Sequence, residues 1–255
     1  MRAAVATALL FFSARAAAQE RPLVDVAAGV GGVSRHLSYH QDVFGRFAPY
    51  DLTIAPSLLV RAELYPLAAT DLTVLRDLGL VASGEFVLGL SSQGADGRAR
   101  DTSFWSADAG LRYRVVYGDG ELGLSARWML QRFVVGGGSA GDAALVPAIS
   151  YQSLRPGVDL QHRLNARARL LLGFGWLFVF DAGELTERYF PRATIHAADA
   201  TVGAAFAVTG ALELRVVLGA RRYFYDMRVE PGDVYLAGGA VDHVFTGSLT
   251  AAWRR

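Results

Sequence analysis

The sequence contains no cysteine. That excludes a disulfide framework, a thiolate metal site and a lipidated cysteine anchor. Lysine is missing too, so all 25 basic residues are arginine. With 24 acidic residues they leave a formal charge of +1. No basic stripe of the kind that neutralises phosphates runs along the chain, so nucleic acid is not expected as a partner. Beyond the first residues there is no apolar run of about 20 residues, the length a membrane-crossing helix needs. Yet 52% of residues are hydrophobic and the mean hydropathy is +0.26. That is apolar for a water-soluble chain and low for a bundle of membrane helices.

The first residues have the form of a targeting segment. Arg2 gives a small positive start, residues 3–12 are apolar, and Ala16 and Ala18 make an A-x-A cleavage pattern. A cleaved signal peptide over residues 1–18 and one domain over 19–255 are expected. That domain length suits a single all-β unit.

The dominant signal after residue 19 is alternation. In residues 51–65, Leu52, Ile54, Pro56, Leu58, Val60, Ala62 and Leu64 share one face. Thr53, Ala55, Ser57, Arg61, Glu63 and Tyr65 share the other. Period two with one apolar and one polar face is the mark of a strand. Residues 102–117, 121–131, 166–180, 196–208, 212–224 and 241–253 behave alike, and weaker strands are expected at 23–34 and 78–90. Residues 145–160 change phase near Gln152 and Leu154, where a β-bulge is expected. Short connections (118–120, 161–165, 209–211, with 66–77 as a longer member) alternate with long ones (36–50, 91–100, 136–144, 181–193, 226–239). Short turns on one side and long loops on the other predict a transmembrane antiparallel barrel of about ten strands, with eight or twelve as alternatives.

Three features set the apolar face against lipid. The strands exceed the roughly 5–6 residues usual in soluble sheets. The apolar faces carry too much Leu, Val, Phe and Trp for a narrow lumen. Aromatics gather near strand ends: Trp105, Phe178, Phe180, Phe224 and Phe245 toward the long loops, and Tyr113, Tyr117 and Trp253 toward the short turns. Two such girdles match the two lipid–water interfaces.

On these features the chain resembles the small, monomeric β-barrels of the bacterial outer membrane. The final strand, ending on Trp253 and followed by Arg254 and Arg255, resembles the terminal strand that serves this group as an insertion signal. The resemblance implies outer-membrane lipid and the outer-membrane assembly machinery as partners, and no cofactor or metal.

The polar face then lines the lumen. Its arginines are Arg61, Arg112, Arg114, Arg127, Arg155, Arg167, Arg169, Arg215 and Arg221. Its acids are Glu63, Glu85, Asp108, Glu121, Asp159, Asp199, Glu213 and Asp242. Asp159 and Arg167 are expected to face each other across the 161–165 turn. The near balance of signs predicts a lumen plugged by ion pairs; the alternative is a charged constriction in a narrow pore. An outer-membrane hydrolase is the third reading, because some barrels of this kind are proteases with Asp and His at the rim or lipid A deacylases with Ser and His. His36 and His40 are expected in the first surface loop, His162 in a turn, and His196 and His243 on the lipid face. Asp199, Asp242, Arg221 and Tyr223 are placed to converge within the outer rim. No spacing among them matches a catalytic motif, so a non-enzymatic surface or binding role is expected.

Overall fold

The computed structural model describes residues 22–71, 74–93, 99–135 and 147–255. The signal segment expected over 1–18 lies outside them. The chain is a closed antiparallel barrel. Its strands are β1 (Val24–His40), β2 (Tyr50–Leu64), β3 (Leu78–Val87), β5 (Ala99–Tyr117), β6 (Gly120–Val135), β7 (Ile149–Arg163), β8 (Ala168–Gly183), β9 (Thr194–Ala207), β10 (Leu212–Asp226) and β11 (Gly239–Arg254). A short strand β4 (Ser91–Gln93) extends the β3–β5 hairpin at the loop end. Sequential neighbours pair, β1 pairs with β11, and β3 pairs with β5, so no barrel edge is left open. Closure satisfies every ladder internally, as a lipid environment demands.

The lipid-facing wall is as the alternation requires. Ile54, Leu58, Val60, Leu80, Leu111, Leu124, Phe174, Val202, Leu218 and Leu249 are all exposed, while Ser57, Glu63, Arg112, Arg114 and Arg127 on the opposite phase are buried. At the turn end the connections are tight. Gly118 adopts φ +40° between β5 and β6, a left-handed conformation that glycine takes without steric cost. A 3-10 turn, Leu75–Asp77, leads into β3.

Toward the loop end the polarity inverts. Leu37 on β1, Phe133 on β6, Ile149 and Tyr151 on β7, Leu177 on β8, Ile195 on β9 and Tyr223 and Tyr225 on β10 turn inward and are buried. On the same stretches His36, Arg132 and Arg222 turn outward and are exposed. The strands therefore reach the lipid–water interface there, apolar within and mixed without, since exposed Phe178, Phe180 and Phe224 stand on the same stretches as the outward His36, Arg132 and Arg222. Three loops fold over this end. Phe47 from the β1–β2 loop, Leu185, Tyr189 and Phe190 from the β8–β9 loop, and Met227 and Ala237 from the β10–β11 loop join one buried cluster with the strand residues. Phe47 stacks on Tyr39 and meets Tyr189, Phe190 and Tyr235 at centroid distances of 4.9–5.6 Å.

Three expectations are corrected by this geometry, and the irregularity expected near Gln152 is present. His36 and His40 belong to strand β1, not to the first surface loop. The β1–β2 register shifts between Val33 and Arg35, so Leu52 stands opposite the inward Arg35 and leaves the lipid face. In β7 the side chains keep one phase from Ile149 onward. The expected irregularity is present at Gln152 as a shift of register against β8, and it coincides with the polarity inversion, with Tyr151 inward and Gln152 outward. Lastly, Asp159 pairs with Gly173 and Arg163 with Arg169, which leaves Arg167 exposed in the turn. Arg167 is therefore not part of the lumen network.

Candidate functional site

The inward face forms stacked layers of charge. Nearest the turns, Arg215 donates to Asp25 at 2.6 Å and to Glu213 at 3.2 Å. Arg169 donates to Glu213 at 2.6 Å and to Gln161 at 2.9 Å. Arg254, the last strand residue, reaches Asp25 at 3.1 Å. These groups border a vestibule of about 920 Å³ that opens at the turn end, lined also by Asp119, Arg163 and Arg167. Arg114 is buried against Asp77 at 3.0 Å, with its guanidinium 3.8 Å over the Tyr65 ring.

Above lies the hub. Arg112 on β5 donates to Asp159 on β7 through both Nε and Nη2, at 3.1 Å from Nε. Its Nη1 contacts the Tyr65 hydroxyl, reaches Glu121 at 2.7 Å and lies 3.4 Å from Glu63. Glu63 also accepts from Arg61 at 2.6 Å. One guanidinium thus serves three carboxylates, which its fixed fork of donors allows. Gly123 makes room: a Cβ there would collide with that guanidinium.

A cavity of about 190 Å³ follows at mid-height. Arg155 grips Asp199 with two bonds of 2.6 Å, and Arg221 joins at 3.4 Å while donating to Gln131 at 2.8 Å. Arg127 faces Asp108 at 3.4 Å, and Asp108 also accepts from Ser83. Glu85 accepts from Ser57 at 2.8 Å and forms no ion pair among the described residues.

The charged stack ends at a clamp. Arg35 donates to Asp242 with bonds of 2.9 and 2.7 Å, and both side chains are fully buried. The Arg35 guanidinium lies 4.0 Å over the Phe133 ring. Tyr151 donates to Asp242 at 2.8 Å, contacts the Tyr225 hydroxyl and stacks on Tyr223 at 4.0 Å. Above the clamp the described residues form the apolar cluster.

Of the residues read from sequence, Asp199, Arg221, Tyr223 and Asp242 do stand within the outer half, but in two groups joined through stacked tyrosines rather than at one point. No histidine enters the lumen. His36 pairs with Asp51 on the outer surface, and His196 and His243 lie among lipid-facing aromatics. Of the aromatics assigned to the girdles, Phe178, Phe180, Phe224, Phe245 and Trp253 are exposed, and Trp105, Tyr113 and Tyr117 are half-buried on the wall. Asp25, Arg35, Asp77, Tyr151 and Arg254 were not anticipated in the lumen. For Asp25 and Arg35 the available signal was phase. Both share parity with Ala27, Gly29, Gly31 and Val33, but these small apolar residues hide the polar face of β1.

No family model matches the chain, and no curated protein matches it. Solved structures do. The outer membrane protease OmpT from Escherichia coli is 14% identical, with 91% of this chain and 96% of that one covered and a TM-score of 0.52. An outer membrane channel from Pseudomonas putida F1 is 12% identical, with 95% and 99% covered and a TM-score of 0.45. The translocator domain of the autotransporter NalP from Neisseria meningitidis is 12% identical, with 94% and 90% covered and a TM-score of 0.43. At these identities the likeness concerns the fold. Joined to the closed ladder and the apolar outer wall, the likeness to OmpT gives the chain the fold of the β-barrels of the bacterial outer membrane.

Proposed function

We propose that the protein is a non-enzymatic surface barrel with a closed lumen, acting as a monomer that presents its loops for binding or for envelope structure. The observation that carries this reading is the plug. Three loops bury Phe47, Leu185, Tyr189, Phe190, Met227 and Ala237 in one cluster over the Arg35–Asp242 clamp. A polar solute would have to disrupt aromatic packing and a desolvated ion pair to pass. The histidines support the non-enzymatic part, since His36, His196 and His243 turn away from the lumen carboxylates. The terminal strand β11, with Trp253 as its last outward aromatic, would serve recognition by the assembly machinery, and lipid would cover the wall.

Planar-bilayer recording of the refolded protein tests the closure. The expected trace is silent, and Phe47→Ala introduces flickering steps by opening the plug. Discrete steps from the unmodified protein would replace this reading with a narrow pore. Cleavage of a fluorogenic peptide pool, lost in His36→Gln, would replace it with a hydrolase.

A further inference from the structure

Three adjacent strands place a row of one arginine and two histidines on the outer wall. Arg222 on β10 stands opposite His243 on β11, and His243 stands opposite His36 on β1. Opposed residues on paired strands share a face and lie within reach of one another. The two imidazole centroids are 6.5 Å apart. The row sits between aromatic rings: Arg222 lies 5.1 Å over Phe224, and Phe245 stacks on His243 at 6.2 Å. Toward the turns, the outward residues of β10 are Leu212, Leu214, Val216, Leu218 and Ala220, without a polar side chain. A tilted run of that length covers most of the roughly 25 Å apolar band. Arg222 therefore marks the loop-side interface. It is exposed and has no carboxylate partner among the described residues, whereas His36 is held by Asp51. A charge facing lipid is costly unless an anion meets it.

We propose that Arg222, His243 and His36 form a docking site for a phosphomonoester on the headgroup of an outer-leaflet lipid. The donors fit that group. A guanidinium fork offers two parallel N–H groups and each imidazole offers one. A phosphomonoester presents three free oxygens to such a row, and a phosphodiester presents two. Phe245 flanks the row on the turn side, toward the acyl chains, and Phe224 flanks it on the loop side. The inference depends on the orientation of the barrel and not on the closed lumen, so its failure leaves the proposed function standing.

The test uses the full barrel, refolded in detergent and checked by heat-modifiable migration on a gel. It is mixed with phosphatidic acid, a monoester, or with phosphatidylglycerol, a diester, and retained lipid is counted by native mass spectrometry. Phosphatidic acid is expected to be retained at least tenfold better. Arg222→Gln, which faces away from the lumen, should abolish that preference, and His243→Gln should weaken it. Arg132→Gln removes an outward arginine that stands between Trp105 and Ser150 with no histidine beside it, and should change nothing. Equal retention of both lipids, an unaffected Arg222→Gln, or an equal loss in Arg132→Gln would each overturn the site.

Discussion

The lower and upper halves of the barrel solve the same packing problem with opposite materials. Near the turns, the wall is apolar and the interior is a lattice of arginines and carboxylates centred on Arg112. Near the loops, the interior is tyrosine, phenylalanine and leucine, and the wall carries histidine and arginine. The difference follows from the solvent outside. Lipid takes apolar side chains without help from the core, so the polar phase is left to fill the lumen, where each charge needs a partner. At the loop-side interface the wall also meets water, and burial of apolar surface again drives packing at about 25 cal/mol per Å². The halves meet at Arg35–Asp242, an ion pair wrapped in aromatics.

The Arg112 hub of the lower half and the Arg35–Asp242 boundary offer the largest expected effects. Arg112→Met strands Glu63, Glu121 and Asp159 without their shared cation, and removing one partner of a buried ion pair costs about 3–5 kcal/mol. Unfolding in urea from lipid vesicles, followed by tryptophan fluorescence, should show this loss. No single second substitution should restore it, because three carboxylates depend on one guanidinium. Arg35→Met should cost a similar amount. Here the double variant Arg35→Met with Asp242→Leu should recover most of it, since an isolated buried pair exchanged for apolar residues is often neutral or better. If the double variant is no more stable than the single one, the upper half is not the apolar core described above.

Gly175→Ala probes the lower half more gently. Its Cβ would come within 2.6 Å of the Arg155 guanidinium, which two bonds hold on Asp199. A displacement costing about 1–3 kcal/mol is expected from such overpacking. The same substitution at Gly84, where a Cβ meets nothing closer than 3.6 Å, should be nearly silent in the same unfolding assay.

The lower half was legible in the sequence and the upper half was not, for one reason. Alternation identifies a strand only where its two faces differ in a known sense. In residues 51–65 the sense is constant from Ile54 onward, and lumen and wall separate cleanly. In β1 the inward phase runs Asp25, Ala27, Gly29, Gly31, Val33, Arg35, Leu37, Tyr39, changing from polar to small to aromatic. No single rule assigns that face, so Arg35 escaped notice and His36 was expected in a loop. Likewise Tyr151 beside Gln152 reads only as a slip in phase, though it also marks the passage from lipid to water. Partner choice was less legible still. Arg112 and Asp159 are 47 residues apart and meet across the β5–β6–β7 sheet, whereas the local pairing expected for Arg167 failed by the width of one turn.

The smallest expected effect lies outside both halves, on the loops above the plug. Arg192 of the β8–β9 loop pairs with Asp233 of the β10–β11 loop, and Arg192 also donates to the Arg228 carbonyl at 3.1 Å. The Glu230 amide donates to the Asp233 carboxylate at 2.7 Å. That amide first, and the Arg192 guanidinium second, hold the Asp233 carboxyl below its ordinary value. A depressed carboxyl stabilises the folded loops above the ordinary carboxylate range and loses that contribution as pH falls through the depressed value. Because both side chains are solvated, the pair is worth little energy, and its effect should be local. The hydrogen-exchange protection of the amides around Glu230, taken relative to their intrinsic exchange rate at each pH, should fall below about pH 4, the ordinary carboxylate range, while protection in β10 is kept. Asp233→Asn should show the low protection already at neutral pH and remove the dependence of that protection on pH. If the β10 amides lose protection together with the loop, the plug and the loops open as one unit, and the cap is not separable from the upper core.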